Sequence, residues 1–206
     1  MQIPEWRQRL VRSLGLSSDK PEANYFQLAT VNSENQARNR TVVFRGFVDN
    51  TSHLTVITDK RSGKFKELCK NDTAEIAWYF AKTREQYRIS ARVQACCLQP
   101  ASEDKTLNTH NYLVDSLWNK LSEKTKSSFF NVSPATPFSD EIHNQLNIGS
   151  DVSENFCVLV FIPNQVDYLD LNTEPHTRLI SRVSPEHASR NASELPAFWT
   201  VERVVA

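Results

Sequence analysis

Alternating hydrophobic and polar residues recur along most of the chain and predict a succession of β-strands. The first such run is Tyr25 to Val31. A strongly apolar run, Ala74 to Ala81, is followed after a charged turn by the alternating segment Glu85 to Val93. Short polar turns join these runs, whereas a parallel sheet needs long crossover connections. The pattern therefore predicts an antiparallel barrel or sandwich.

A predicted hairpin and the loop after it bring positive charge to one end of this sheet. The predicted strands are Arg40 to Val48 and Leu54 to Thr58, and the loop is Asp59 to Lys64. Arg40 lies in a mostly apolar strand and needs an anionic partner if it is buried, because an unpaired buried charge is costly. Arg40 and Arg45 also fit a simpler interpretation, in which their stems pack on the sheet and their guanidinium groups reach water.

Apolar residues at helical spacing predict helices in three places. Pro4 to Leu14 is predicted to be an amphipathic helix that Gly15 closes. A short helix is expected after the cationic loop, with Ser62 or a neighbour at its N-cap. One or two helices are expected between Ser102 and Ser128. Asn131 to Ser153 shows little periodicity and is predicted to be a long loop.

Four further β-type runs follow the helical segment. One of them carries Arg178 and Arg182 on a single face, an unusual pair of cations for a strand. No linker or internal repeat divides the chain, so we expect residues 1–206 to form one mostly β domain with flanking helices. The four runs are Phe156 to Ile162, Gln165 to Leu171, His176 to Val183 and Phe198 to Val205, the first two paired around Pro163-Asn164.

Composition limits the possible partners. The 24 basic residues equal the 24 acidic ones, so no overall field attracts nucleic acid or an acidic membrane, and any anion site must be a local cluster. The four cysteines lack the spacing of a metal site or a disulfide framework, which indicates free thiols in a reducing compartment. The start of the chain has no apolar leader, and no stretch is long enough to span a bilayer. We expect a cytoplasmic protein that binds neither nucleic acid nor membrane.

Several common catalytic motifs are missing from the sequence. With four glycines in all, the chain has neither a dinucleotide-binding fingerprint nor a P-loop. It also lacks the Gly-x-Ser-x-Gly and His-Glu-x-x-His motifs. The five histidines are scattered, so we predict no metal site. Any difficult chemistry is therefore expected to come from a bound cofactor.

The order of the elements resembles the pyridoxamine 5'-phosphate oxidase-like flavoproteins. The likeness rests on a tryptophan-containing amino-terminal helix, a Gln-Leu-Ala-Thr-Val strand and an Arg-Thr-Val-Val-Phe-Arg-Gly-Phe strand that begins at Arg40, and it extends from Pro4 to Val205. The resemblance implies an FMN-binding split β-barrel, antiparallel and Greek-key-like. It also implies a homodimer in which both chains contribute to the flavin site at the subunit interface.

Carried over position by position, the resemblance implies a set of ligand contacts. The strand from Arg40 would lie along FMN and supply an arginine, and Ile57-Thr58 is similar to a pair that contacts the flavin. Ser62-Gly63-Lys64 resembles the family's phosphate loop. The implied cofactor-binding residues are Arg40, Thr41, Val42, Val43, Ile57, Thr58, Ser62, Lys64, Gln86 and Arg182, and the implied substrate-binding residues are Arg45 and Arg178.

Some positions depart from the family pattern. Arg178 to Arg182 is similar to an Arg-Leu-His-x-Arg signature whose first arginine approaches the substrate and whose last approaches FMN, but Ile180 replaces the histidine. Gly63 replaces an arginine of the phosphate loop, and Arg61 is the candidate to compensate. Arg45 replaces a lysine that reaches the substrate phosphate, which keeps the charge and changes its geometry.

The leading expectation is an oxidoreductase of the pyridoxamine 5'-phosphate oxidase type. Such an enzyme uses FMN to oxidise pyridoxamine or pyridoxine 5'-phosphate by hydride transfer, and no catalytic side chain is assigned. Two alternatives stay open at this point. One is a flavin-dependent reductase or oxidase of another small molecule, and the other is a flavin carrier or sensor without turnover.

Overall fold

The computed structural model describes residues 3–100, 104–137, 149, 151–184 and 198–206. In this part of the chain nine strands form one antiparallel sheet flanked by helices, which confirms the predicted fold class. The strands are β1 (Tyr25–Val31), β2 (Ala37–Val43), β3 (Gly46–Phe47), β4 (Leu54–Asp59), β5 (Thr73–Phe80), β6 (Glu85–Cys97), β7 (Phe156–Asp170), β8 (Thr177–Val183) and β9 (Trp199–Val204). The helices are α1 (Glu5–Leu16), α2 (Gly63–Lys70), α3 (Lys105–Asn119) and α4 (Glu123–Ser127), and a 3-10 turn, Pro21–Asn24, precedes β1.

The strand order brings the two ends of the main sheet together. Along the hydrogen-bonded path the order is β2-β1-β5-β6-β7-β4-β3, while β8 pairs with β7 and β9 with β8. Only Phe44 and Arg45 separate β2 from β3, and their amides donate to the carbonyls of Asn24 and Thr55 at 2.8 and 2.9 Å. The first and last strands of the path are therefore neighbours along the chain, as barrel closure requires, and β8 and β9 extend from its side.

The predicted hairpin differs from the observed one. The expected strand from Arg40 to Val48 is broken after Val43, and its first part pairs with β1, where Arg40 lies opposite Leu28. Only the two-residue β3 pairs with β4. Gly46, the first residue after the break, has φ +122°, a conformation that glycine adopts readily and other residues rarely do. Apolar residues continue through the break, so the sequence pattern did not reveal it.

The predicted strand pair around Pro163 is a single long strand, so that prediction was wrong. β7 runs without a turn, and Pro163 pairs with Ala91 while Gln165 pairs with the preceding residue of β6, Ser90. Asn164 is thus an extra residue, which makes a β-bulge. A bulge accommodates proline inside a strand because the regular ladder is interrupted there.

Most helix predictions are confirmed, with changes at the ends. Gly15 lies inside α1 and does not close it, because the helix continues to Leu16 and Ser17 is the C-cap. Ser62 stands at the N-cap of α2, as expected.

Of the predicted loop from Asn131 to Ser153, residues 138–148 and 150 lie outside the described residues. None of the described helices is both long and apolar enough to cross a bilayer.

A buried polar network joins α1 to the sheet. The Ser13 hydroxyl lies 2.7 Å from one carboxylate oxygen of Glu85 and 2.9 Å from the Tyr87 hydroxyl, and Tyr168 donates to the other Glu85 oxygen at 2.6 Å. Burial raises the pKa of both tyrosines, so both stay protonated and can donate. The buried carboxylate is thereby satisfied, which its burial requires.

Two apolar clusters fix the positions of the helices. The larger lies inside the barrel and includes Trp6 of α1 and Trp78 of β5. The smaller lies beneath α3, where Trp118 contacts the rings of Phe129 and Phe156. This second cluster holds the end of α3 against the barrel wall that also carries the cationic loop.

Replacement of Ser13 with alanine should lower the free energy of unfolding by about 1–3 kcal/mol, because one oxygen of the buried Glu85 carboxylate loses its donor. Urea unfolding of the purified protein measures the loss. Ser18→Ala, at an exposed position just after the same helix, is the control and should have little effect. Equal stability of the two variants would contradict a structural role for the network.

Candidate cofactor and substrate site

The amino-terminal end of α2 forms the floor of a cationic cradle, which we define as Thr58, Ser62, Lys64 and the first amides of α2. The side chain of Ser62 makes no capping hydrogen bond, and no acidic residue lies in the first turn. The first amides of the helix therefore lack a side-chain acceptor and carry the positive end of the helix dipole. Thr58 and Ser62 are both buried, and their hydroxyls lie 3.1 Å apart.

Lys64 adds an unneutralised charge to this cradle. Its ammonium lies 3.4 Å from the Ser62 hydroxyl and makes no ion pair with any described residue. Burial lowers the pKa of Lys64, and the guanidinium of Arg40 lowers it further, against the opposing effect of Asp59 and Glu67. The cradle consequently carries a positive charge that the neighbouring carboxylates Asp59 and Glu67, which pair with Arg61 and Arg40, do not contact.

Arg40 has an anionic partner, as its position in a mostly apolar strand requires. One guanidinium nitrogen donates to Glu67 at 2.7 Å, and the other donates to the Thr30 hydroxyl. Thr30 donates in turn to Glu67 at 2.6 Å. Burial alone would raise the pKa of Glu67, but the hydrogen bonds from Thr30 and Arg40 outweigh it and hold that pKa below its usual value.

Arg61 does not replace the arginine that the phosphate loop lacks. Its guanidinium donates to Asp59 at 2.7 and 3.0 Å and to the carbonyl of Asn131 at 2.8 Å. The Asp59 hydrogen bonds raise the pKa of Arg61, as expected for a satisfied ion pair. Its role is to anchor the segment that follows α4.

An open groove of about 510 Å³ lies between the barrel and the end of α3. Val43 and Ile57 line it from the barrel, and Leu117 and Leu121 line it from the helical side. Two cations, Arg45 and Lys120, also line the groove, and neither makes a side-chain hydrogen bond or ion pair with a described residue. The sequence did not identify Lys120, since its position relative to Arg45 depends on how α3 packs on the barrel.

The remaining predicted residues are distributed over the sheet. Thr41 is exposed, and Val42 is buried in the barrel core, so only the backbone of Val42 is accessible to a ligand. Gln86 lies on β6 between Tyr79 of β5 and Leu169 of β7. Val43, Arg45 and Ile57 line the groove, and Thr58, Ser62 and Lys64 belong to the cradle. Ile57 and Thr58 are successive residues of β4, and Arg40 lies close enough to Lys64 to lower its pKa.

Arg178 and Arg182 have partners on their own part of the sheet. Arg178 donates to both oxygens of Asp167 at 3.0 and 2.7 Å, and Arg182 donates to Gln165 at 3.0 Å and to Glu202 at 3.3 Å. β8 pairs with residues 165–170 of β7, beyond the bulge, whereas β4, which leads into the cradle, pairs with residues 156–161. Within one chain, Arg182 makes no hydrogen bond with the cradle.

Comparison with known proteins identifies the family of this chain. Residues 3–96 match the family model described as pyridoxamine 5'-phosphate oxidase, FMN-binding domain. The chain is 32% identical over 174 residues to "Pyridoxine/pyridoxamine 5'-phosphate oxidase 2" of Arabidopsis thaliana, an alignment that covers 83% of this chain and 85% of the relative. The chain belongs to the pyridoxamine 5'-phosphate oxidase-like family. FMN is the cofactor that defines this family's domain, so the prediction of FMN is confirmed.

Solved structures confirm the family's split-barrel fold. A pyridoxamine 5'-phosphate oxidase-related, FMN-binding protein from Nostoc punctiforme superposes with a TM-score of 0.85 at 30% identity and covers 99% of both chains. PhzG from Burkholderia lata superposes with a TM-score of 0.70 at 18% identity, covering 100% of this chain and 98% of the other, and at that identity it supports the fold alone.

The cationic cradle is chemically suited to the phosphate of FMN. That phosphate carries close to two negative charges and accepts several hydrogen bonds. The cradle offers two hydroxyls, uncapped helix amides and an ammonium whose pKa is lowered by burial and by the nearby Arg40. A phosphate at this point would neutralise charge that the chain leaves uncompensated.

Glu67→Gln should lower the free energy of unfolding at pH 7 by about 1–2 kcal/mol, because Arg40 loses its carboxylate. The folded pKa of Glu67 is depressed, so its contribution is fully present above the unfolded value of about 4.3 and is lost as the pH falls through the folded pKa. The difference between wild type and variant should therefore shrink in acid, as measured by urea unfolding at several pH values. Glu22→Gln, at an exposed position, is the control. A difference that does not depend on pH would contradict this assignment.

Proposed function

We propose that this protein is an FMN-dependent oxidoreductase of the pyridoxamine 5'-phosphate oxidase type that acts on a small anionic molecule bound in the groove. The observation that carries the proposal is the pair Arg45 and Lys120. Both are cations without an ionic partner among the described residues, and both line the same apolar groove as Val43 and Ile57. A groove of this kind suits a ligand with an apolar body and a negative group.

The residues proposed to hold FMN divide into two groups. Ser62, Lys64, Thr58 and the amides of α2 would bind the phosphate, with Arg40 beside them adding positive charge while its ion pair with Glu67 keeps it in place. The flavin ring would lie along the barrel wall. The proposed ring contacts are Thr41, the backbone of Val42, Val43, Ile57 and Gln86.

We further propose a homodimer in which Arg178 and Arg182 serve the site of the partner chain. Arg182 is exposed and lies opposite Gln165, in the half of β7 beyond the bulge, whereas Thr58 of the cradle lies opposite Cys157 in the other half, so Arg182 is better placed to reach an FMN held by the cradle of a second chain than one held by its own. The existing bonds to Gln165 and Glu202 would hold Arg182 in position for that contact. Arg178, fixed by both oxygens of Asp167, would approach the substrate of the same site.

The chain's own contribution to the reaction would be binding and alignment. FMN, when bound, supplies the acceptor for a hydride from substrate carbon. Arg45 and Lys120 would hold the anionic group of the substrate, and Leu117 and Leu121 would exclude water from its apolar part. We assign no acid or base among the side chains of the groove.

Two observations favour a second candidate, a flavin-dependent reductase or oxidase of another small molecule. Ile180 replaces the histidine of the family signature, and its side chain is only 7% exposed in β8. The helical wall of the groove is also apolar apart from Lys120. These features offer fewer hydrogen bonds to a phosphate monoester than a dedicated phosphate site provides.

Substitution of Lys64 tests the cofactor site. Lys64→Met should weaken FMN binding about tenfold or more, because a charged hydrogen bond to the phosphate is lost. The folded pKa of Lys64 lies below its unfolded value, so the protonated lysine costs stability at neutral pH, and the FMN-free variant should be no less stable than wild type. Fluorescence titration with FMN and urea unfolding measure the two effects.

The matched control for that experiment is Lys66→Met, an exposed position on the same helix, where FMN affinity should be unchanged. Equal FMN affinity of wild type and Lys64→Met would show that the cradle is not part of the cofactor site. A colourless protein that takes up no FMN under any condition would overturn the proposed function as a whole.

Substitution of the two groove cations tests the substrate site. FMN-loaded wild type should convert pyridoxamine or pyridoxine 5'-phosphate to pyridoxal 5'-phosphate. Arg45→Met and Lys120→Met should each raise KM about tenfold with a smaller effect on kcat, because they remove binding of the substrate anion. Lys124→Met, an exposed position on α4, is the control. Bound yellow flavin without pyridoxal phosphate formation would exclude this substrate and favour the second candidate.

A further inference from the structure

Two cysteine side chains meet across the β6–β7 ladder. Cys97 and Cys157 are direct partners in the antiparallel register, and their sulfur atoms lie 2.8 Å apart. Both are free thiols, Cys157 fully buried and Cys97 partly exposed. The pair therefore combines a protected sulfur with one that a small reagent can reach.

The backbone geometry at this position suits a covalent link. Residues directly opposite each other in an antiparallel pair have Cα atoms about 4.5–5.5 Å apart. A disulfide requires a Cα separation of about 4.4–6.8 Å. A bond between the two sulfurs therefore needs little movement of β6 or β7.

The surroundings activate Cys97 in preference to its partner. The hydrogen bond between the Cys97 and Cys157 sulfurs lowers the pKa of Cys97, and the nearby Lys60 ammonium lowers it further, against the opposing effect of burial. The same hydrogen bond, together with burial, raises the pKa of Cys157. Cys97 is thus the sulfur that carries more thiolate at neutral pH, and the thiolate is the reactive form.

The other two cysteines lack this arrangement. Cys69 is exposed on α2, and none of its contacts within the described residues is to another thiol. Cys96 points to the opposite face of β6, into the apolar cluster beneath α3, where burial raises its pKa to about 12. Only the Cys97–Cys157 pair, among the four cysteines, has both an activated sulfur and a second sulfur in reach.

We propose that Cys97 and Cys157 form a thiol-oxidation site that closes a cross-strand disulfide when the protein meets hydrogen peroxide. The Cys97 thiolate attacks one peroxide oxygen, the O–O bond breaks, and Cys97 becomes a sulfenic acid while the other oxygen leaves as water after protonation. The Cys157 sulfur then attacks the Cys97 sulfur, and the S–O bond breaks with release of a second water. Two thiols lose two electrons and two protons, and one peroxide becomes two waters.

This site adjoins the cationic cradle but does not depend on the proposed function. Thr58 of β4 pairs with Cys157 of β7, which pairs with Cys97 of β6, so the three residues lie side by side on one face of the sheet. Thr58 also contacts the Ser62 hydroxyl. The oxidation site is therefore next to residues proposed to hold the FMN phosphate.

The test uses the FMN-loaded chain of residues 1–206, treated in the dark with hydrogen peroxide, quenched in acid and alkylated after denaturation. Intact mass should show two cysteines protected from alkylation, and peptide mapping should identify one Cys97–Cys157 cross-link that dithiothreitol reverses. Cys97→Ser and Cys157→Ser should each abolish the cross-link. Cys69→Ser should retain it.

Three results would overturn the proposal. These are four alkylatable cysteines after peroxide treatment, a cross-link that involves Cys69 or Cys96, and a cross-link between two chains. Cys157→Ser places a hydroxyl at a fully buried position, so Cys97→Ser, at the partly exposed position, is the deciding variant. Its circular dichroism spectrum should match wild type, and persistence of a reducible intrachain cross-link in it would also refute the assignment.

Discussion

The ion pair between Arg40 and Glu67 is the interaction on which the rest of the site depends. It joins β2 to α2, and Thr30 of β1 completes it with hydrogen bonds to both partners. α2 is thereby held against β1 and β2. Because Glu67 is already engaged by Arg40, Lys64 on the preceding turn has no carboxylate in contact with it. One cation is neutralised by its ion pair, while its neighbour keeps a charge that no carboxylate of the described residues contacts.

The elements that the sequence predicted best are those set by local pattern. The strand Tyr25–Val31 has the predicted limits, and Ser62 stands at the predicted helix start. The errors concern pairing between distant segments. Alternation continues smoothly through Phe44 and Arg45, so it could not show that the strand leaves one partner and joins another. The sequence also predicts a turn at Pro163-Asn164, whereas in the structure a bulge accommodates this proline inside β7.

The sequence predicted the chemical character of the site better than the positions of its residues. The free-energy cost of burying an unpaired charge was enough to predict that Arg40 needs an anionic partner. That partner is Glu67, which lies on a helix whose position the strand pattern could not predict. Lys120 enters the groove only because α3 ends against the barrel, which depends on the packing of the aromatic cluster around Trp118. The resemblance to FMN-binding proteins placed Arg182 beside the cofactor, whereas in one chain it lies on a different part of the sheet.

The extra residue in β7 determines which side chains of that strand face inward. Before the bulge the odd-numbered Leu159 and Phe161 enter the barrel core, and after it the even-numbered Val166 and Tyr168 enter the same core. Side chains alternate strictly along a strand, so one inserted residue reverses the parity of everything beyond it. The insertion at Asn164 lets a single strand serve as a wall of the closed barrel and as the base of its β8–β9 arm without exposing the apolar side chains of either half.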